Sequence, residues 1–176
     1  MKYIGQHIFD KVASFRENVT LTSANSQQPL LTLKTTHTTK TASAELQFLK
    51  DAADTEDGEN LGVITFYGEN ESNANTKFGH IKGSIQESDA GVEGGSIKLA
   101  VATHDGEMVN GLVINDGSSE DEIDVTIGST TASLTTVTGN LLVSGADINF
   151  ANVPTSDPEV AGRVWNSSGD LKISAG

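Results

Sequence analysis

LGVITFYGENESNANTKFGHIKGSIQESDAGVEGGSIKLAVATHDGEMVNGLVIN, residues Leu61–Asn115, holds four short runs in which apolar and polar residues alternate. Val63, Thr65 and Tyr67 alternate with Ile64 and Phe66. Phe78, Ile81 and Ile85 mark the second run, Ile97, Leu99 and Val101 the third, and Met108, Leu112 and Ile114 the fourth. Polar turns rich in Gly and Asn separate them. Strands of this length, joined by loops of this chemistry, predict an antiparallel meander or sandwich. Lys77, Lys82 and Lys98 interleave the apolar positions and are expected to face water or cross-strand acids.

Working outward toward the N-terminus, the spacing predicts two further strands. In Asn18–Leu33, Val19 and Leu21 alternate, a polar turn follows, and Leu31 and Leu33 alternate after Pro29, where a missing N–H is tolerated at a strand start. Thr35–Ser43 reads as a loop or an exposed edge. Ala44–Leu49 is compatible with strand or helix; the strand-rich context favours strand, with Leu46 and Phe48 inward. The acidic stretches Asp51–Asn60 and Asp116–Asp124 read as solvated turns. Neither has the D-x-[DN]-x-[DN]-G alternation of an EF-hand calcium loop. Two such loops meeting on one rim would still gather the oxygen ligands a hard cation wants.

At the N-terminus, Ile4, Ile8, Val12 and Phe15 form a narrow stripe at helical spacing, so Tyr3–Arg16 is expected to be a short amphipathic helix. A helix of this length is marginal alone. It either closes one end of the domain or serves as an attachment or trimerisation peg.

From Ile127 the texture changes to small polar residues with isolated apolar ones: Leu134, Val137, Leu141, Val143 and Ile148, with Gly139 and Gly145 between. One copy of such a ribbon buries too little to offset its ordering. Either several copies wind together and share a core, or the ribbon folds back as a final hairpin. Arg163–Trp165 and Leu171–Ile173 are expected to pair, with Asn166–Gly169 as the turn. Trp165, the only Trp, is expected to pack onto the preceding ribbon.

Composition agrees with thin sheets. Hydrophobic residues make up 36% and aromatics 5%, which leaves a single copy short of core and favours burial completed by other copies. The alternative is a loop-rich monomer. A net charge of -13 repels phosphate backbones and argues against nucleic-acid binding. With no Cys, disulfides, thiolate nucleophiles and Cys-based zinc sites are excluded. No segment approaches the length of an apolar membrane span, and MKYIGQHIFDKV lacks the pattern of a signal peptide. The expectation is synthesis in a cytoplasm without a secretory signal.

Four stretches carry a family resemblance. YIGQHIFD followed by KVASFREN resembles the opening of structural proteins of tailed bacteriophages from aquatic environments, where β-rich fibre or appendage sequence follows. The order GVITFYG, FGHIKGSI, GSIKLAV, LVIND resembles a domain of phage tail-fibre and virion appendage proteins. TVTGNLLVSGADI is similar to the short shaft repeats of phage fibres. The ending P-T-S-D-P, G-x-x-W-N, G-x-L-x-[IV]-S resembles that of marine phage structural proteins, although Arg163 stands where an apolar residue is usual. The resemblance implies a virion protein, structural or receptor-facing and usually trimeric, with no catalytic residues.

The chemistry of the residues points the same way. His7, His37, His80 and His104 show no metal-ligand spacing, and there is no G-x-S-x-G elbow, P-loop or H-E-x-x-H. Abundant carboxylates leave a glycosidase pair open by count, but one Trp and two Tyr offer few sugar platforms.

The expected fold is all-β. It comprises an N-terminal helix or attachment segment (1–17), an antiparallel β-sandwich-like meander (18–126) and a C-terminal fibre-like β-ribbon with hairpin (127–176), assembled as a homotrimer. The expected function is a short tail-fibre or appendage protein acting in assembly and host attachment. The alternative is a capsid-decorating fibre or a glycan-binding adhesion module, with the loops Glu69–Asn75 and His104–Glu107 as its contact surface. No catalytic, cofactor or metal residues are expected. The expected partners are copies of the chain, other virion proteins and a host-surface glycan or receptor. The residues expected at interfaces between copies are Ile4, Ile8, Val12, Phe15, Leu134, Val137, Leu141, Val143, Ile148 and Trp165.

Overall fold

The computed structural model describes residues 15–145 and 147–176. The chain divides into two compact units, Met1–Thr126 and Ile127–Gly176. The described residues are all-β, with antiparallel sheets and no helix. The helix expected over Tyr3–Arg16 lies outside the described residues, save its last two. Of these, Phe15 is exposed and irregular.

In the first unit one sheet carries five strands in sequence order: β1 (Asn60–Glu69), β2 (Asn75–Glu87), β3 (Gly94–Ala102), β4 (Met108–Asp116) and β5 (Ile123–Ile127). The four alternating runs of Leu61–Asn115 are β1 to β4, in the meander that the spacing predicts. β5 falls where the acidic turn was expected to continue. Its Ile123, Val125 and Ile127 alternate, but the neighbouring Glu122 and Asp124 hide the short run.

The meander is a single layer among the described residues, not a sandwich. The segments expected to supply further strands, Asn18–Leu33 and Ala44–Leu49, form none. Alternation marks a chain that can pair, but a strand also needs a partner edge to take its N–H and C=O groups. Among the described residues neither segment pairs with one. Leu46 and Phe48 are both exposed rather than inward, although Phe48 leans on the sheet at Gly62. A Cβ added at Gly62 would stand 2.6 Å from the Phe48 Cβ. Gly62 therefore lets the Phe48 side chain lie against the β1 backbone. Beside it, Lys50 Nζ and Glu59 Oε1 make a 2.7 Å ion pair.

Register separates the two faces of the sheet, because directly paired residues share a face. On one face run the rows Gly62–Gly83–Ile97–Ile114, Ile64–Ile81–Leu99–Leu112 and Phe66–Gly79–Val101–Val109. These rows contain no charged and no hydrogen-bonding side chain. On the other face run Val63–Lys82–Lys98–Val113, Thr65–His80–Ala100–Asn110 and Asn60–Ser84–Ser96–Asn115. Lys82 thus stands directly across from Lys98, so of the two expected surroundings, water or a cross-strand acid, the acid is not the one it meets there, and like charges in that position repel. Ser96 Oγ donates to Asn115 Oδ1 at 2.7 Å within its row.

Burial is concentrated on the wrong face for a core. Among the described residues the one buried apolar side chain is Ala100, 4% exposed, and the buried Ser84 and Ser96 lie on the same mixed face. Along the apolar rows no side chain is buried; Ile64, Phe66, Ile81, Ile97, Leu99 and Val101 are all exposed.

In the second unit, β6 (Val164–Ser167) and β7 (Asp170–Ile173) form the expected hairpin. Its loop is tighter than Asn166–Gly169. Ser167 pairs with Asp170, leaving Ser168 and Gly169 at φ 56° and 105°. Positive φ at both positions is the primed turn whose twist suits a two-residue hairpin. Asn166 Oδ1 accepts the Gly169 N–H at 2.7 Å. The preceding segment is tied to the hairpin by the Asn166 N–H to the Pro154 carbonyl at 2.8 Å, by the Gly162 N–H to the Ser174 carbonyl at 2.9 Å, and by the Ser174 hydroxyl donating to Asp157 Oδ1. Among the described residues no strand forms between 128 and 163.

Candidate functional site

An up-and-down meander sorts its loops by end. The β1–β2 loop (70–74) and the β3–β4 loop (103–107) lie at one end of the sheet, so the two segments expected to form a contact surface are brought together. Each is locally braced. Asn70 Oδ1 accepts the N–H groups of Ser72 and Ala74, both at 3.0 Å, and Asn73 takes φ 58°. Thr103 Oγ1 donates to Asp105 Oδ1 at 2.7 Å, and the Thr103 N–H reaches the Glu107 carbonyl at 2.8 Å. The Thr103 hydroxyl and nearby backbone N–H groups hold the Asp105 carboxyl below its usual range. These loops are polar, exposed and held in shape, which suits recognition of a polar surface.

The opposite end is acidic. The 51–60 segment is fastened there by the Gly58 N–H to the Ile85 carbonyl (3.0 Å) and the Ile85 N–H to the Glu59 carbonyl (2.8 Å). The Ser88 N–H and hydroxyl both donate to Asp57 Oδ1 at 2.8 Å. The 117–122 loop closes with Glu122 accepting from the Ser118 N–H at 2.7 Å and its hydroxyl at 3.1 Å. Those bonds hold the Glu122 carboxyl below its usual range. A depression of about 690 Å³ lies between the 91–93 and 116–121 segments. The acidic stretches do share a rim, but no group of three or more His, Asp or Glu able to hold a metal occurs among the described residues.

The residues expected at interfaces fall into four sets. Ile4, Ile8 and Val12 lie outside the described residues. Leu134, Val137, Leu141, Val143 and Ile148 sit in the strandless part of the second unit, all exposed, with Leu134 at 88% and Leu141 at 73%. Phe15 is exposed at 69%. Trp165 is half-buried on β6, with the Lys172 ammonium 5.6 Å from its ring centroid, directly across the hairpin. Its Nε1 is shielded from solvent and has no hydrogen-bond partner. A shielded donor left open is costly in one chain.

The spacing analysis did not single out the apolar rows of the meander as a surface. Its alternation marks them, but assumes a second layer to cover them. Nor did it find the environment of His80. Both ring nitrogens are shielded and unpartnered. Burial first, then the Lys77 and Lys82 charges, pushes its pKa below the ordinary imidazole value.

Among the described residues no helix is long and apolar enough to cross a membrane. Comparison with protein-family models, with curated proteins and with solved structures finds no match.

Proposed function

We propose that the chain is a structural component of a phage particle, a short homotrimeric tail-fibre or appendage protein that acts in assembly and host attachment, without catalysis. One observation carries the reading: a regular apolar pattern coexists with almost no buried apolar side chain, Ala100 being the only one among the described residues. Apolar surface in this amount is unfavourable in water at ~25 cal/mol per Å², and copies of the chain are a means of covering it. The resemblances over Tyr3–Asn18, Leu61–Asn115 and the 154–174 segment support a virion as the setting. A second reading, an adhesion module for host glycans, is favoured by the two braced polar loops gathered at one end of the sheet.

The test has two parts. Analytical ultracentrifugation of the purified chain is expected to give three times its mass of 18.4 kDa. Antibodies against the chain are expected to label appendages on intact phage particles by electron microscopy. A monomer, or particles carrying none of the protein, would refute the proposal. A glycan array on the trimer separates the two readings: binding that is lost on replacing the 70–74 loop favours adhesion.

A further inference from the structure

We infer that the apolar face of the meander, the three rows that cross β1 to β4, is the surface on which a second copy of this chain packs. The inference rests on the self-association proposed above and adds the place. The composition favours thin sheets covered by other copies, but the interface residues named from the sequence lie only in the N-terminal stripe, the 134–148 segment and Trp165.

The face has the properties of a core cut in half. It presents isoleucine, leucine, valine and phenylalanine side chains that no other described part of the first unit buries, and Phe48 covers only its Gly62 corner. Three rows across four strands span about 400 Å² in projection, from strand spacing and rise. Side-chain relief and the flanking Leu61, Ile85 and Ile123 raise the accessible area further. The patch then exceeds the few hundred Å² that ordinary monomers leave open and approaches the ~800 Å² one partner contributes to a standard interface.

Charge and relief select a copy of the same chain as the occupant. A partner bringing charges or unpaired polar groups onto these rows would desolvate them without compensation. The chain's own rows bring none. Each copy carries a net charge of -13, so association is tolerated only through a face that keeps the acids away from one another. Here the acids sit on the loop rims and the apolar rows hold no charge. The relief is also self-fitting. A hollow of about 270 Å³ is lined only by Phe48, Leu61, Gly62, Ile64, Ile81, Gly83 and Ile97, where the two glycines leave a dip beside the ridge Ile64–Ile81–Leu99. Ridges and hollows of matching chemistry on one face let two copies interlock with an offset.

The chain has no Cys, so a single introduced thiol reports one position cleanly. Ile97→Cys probes the apolar rows, and Lys98→Cys, one residue on, probes the opposite face. At a concentration where ultracentrifugation shows the associated mass, the Ile97→Cys thiol is expected to react with a maleimide at least about tenfold more slowly than the Lys98→Cys thiol, as for a site protected by assembly. Dilution to monomer is expected to abolish the difference. A variant that dissociates when only Ile97 is changed, while Lys98→Cys keeps the wild-type mass, supports the same surface. Equal reactivity in the associated form overturns the inference and leaves self-association standing. A wild-type chain that sediments as a monomer overturns both.

Discussion

The meander and the strandless stretch 128–163 have the same kind of apolar pattern and opposite backbones. Ile97 on β3 pairs with Gly83 on one side and Ile114 on the other. Leu141 stands in no strand. Yet both side chains are open to solvent. Two requirements that usually travel together are separated here. The sheet satisfies its N–H and C=O groups within one chain, but not its side chains. The 128–163 stretch satisfies neither requirement through a ladder of its own. The comparison predicts that other copies are needed by the stretch for its order and by the sheet only for its cover.

The most direct way to break that contrast is to replace Leu141 and Val143 together by Asp. If copies enclose these positions, each loses a side chain worth ~1.5–3 kcal/mol when buried. Association is then expected to weaken by at least about a hundredfold, at ~1.4 kcal/mol per factor of ten. The far-UV circular dichroism of the meander is expected to persist. Sedimentation velocity over a concentration series measures the first effect. Wild-type mass in the double variant would mean that the stretch is not enclosed.

A smaller effect tests the sheet itself. A methyl at Gly62 would collide with the Phe48 Cβ, an atom that moves only if its backbone moves. At Gly95 the same methyl meets nothing within 4 Å. Gly62→Ala is therefore expected to destabilise the first unit by ~1–3 kcal/mol, as overpacking does. Gly95→Ala is expected to be neutral or stabilising by less than ~1 kcal/mol, through the unfolded chain. Urea midpoints at fixed protein concentration distinguish them. Equal midpoints would remove Phe48 from the account.

These two sites also mark how far the sequence could be read. Strand existence in β1 to β4 was legible because Val63–Tyr67 and its successors alternate between clear turn signals, and the β6–β7 hairpin because Asn166–Gly169 offers turn chemistry. Val19, Leu21, Leu31 and Leu33 alternate just as well, and form no strand. Alternation reports the capacity to pair, whereas the partner edge is a property of the whole fold. β5 was missed for the converse reason: five residues flanked by carboxylates give a weak pattern, and β4 supplies the edge that stabilises it. The Phe48–Gly62 contact had no local signal, because it joins two segments whose approach is set by the fold. The apolar rows were visible residue by residue, but not as an open surface.

Acid separates the mixed face of the sheet from its loops. The folded state holds the pKa of His80 below 6.5, so the unfolded chain binds the proton more readily. Stability contributed by neutral His80 is complete above pH 6.5 and is lost as pH falls from there toward the lowered value. The carboxyls of Asp105, Glu122 and Asp157 are also held below their ordinary values. Their contribution is present above the usual carboxylate range and is lost only as pH falls through it. A first, modest loss of stability just below pH 6.5 is expected, with a second near pH 4. His80→Gln is expected to remove the first and leave the second. Denaturation midpoints from pH 8 to 3 read both steps. A wild-type profile flat between pH 7 and 5 would contradict the shielding of His80.

The smallest expected effect concerns the β6–β7 hairpin, the one part of the second unit whose backbone is laddered within the chain. Both residues of its loop have positive φ, Ser168 at 56° and Gly169 at 105°. Glycine suits the second position at no steric cost, and nothing lies within 4 Å of where its Cβ would be. Serine at the first position has a Cβ crowded against the following carbonyl, and its hydroxyl makes no bond to a described residue that offsets this. Asparagine tolerates that conformation better and makes the Asn-Gly pair that primed two-residue loops prefer. The Asn166 side chain, which already caps the Gly169 N–H, is undisturbed by the change. Ser168→Asn is therefore expected to stabilise the hairpin by less than ~1 kcal/mol, a fraction of the left-handed penalty. The measurement is available without labels, because Trp165 on β6 is the only Trp and lies against Lys172 across the ladder. Its fluorescence on heating reports this hairpin, while circular dichroism reports the five-stranded sheet. A rise in the fluorescence midpoint with the sheet transition unchanged is the expected result. If the two transitions rise together, the hairpin melts only with the rest of the assembly, and the contrast between a self-sufficient ladder and an enclosed stretch would have to be drawn elsewhere in the chain.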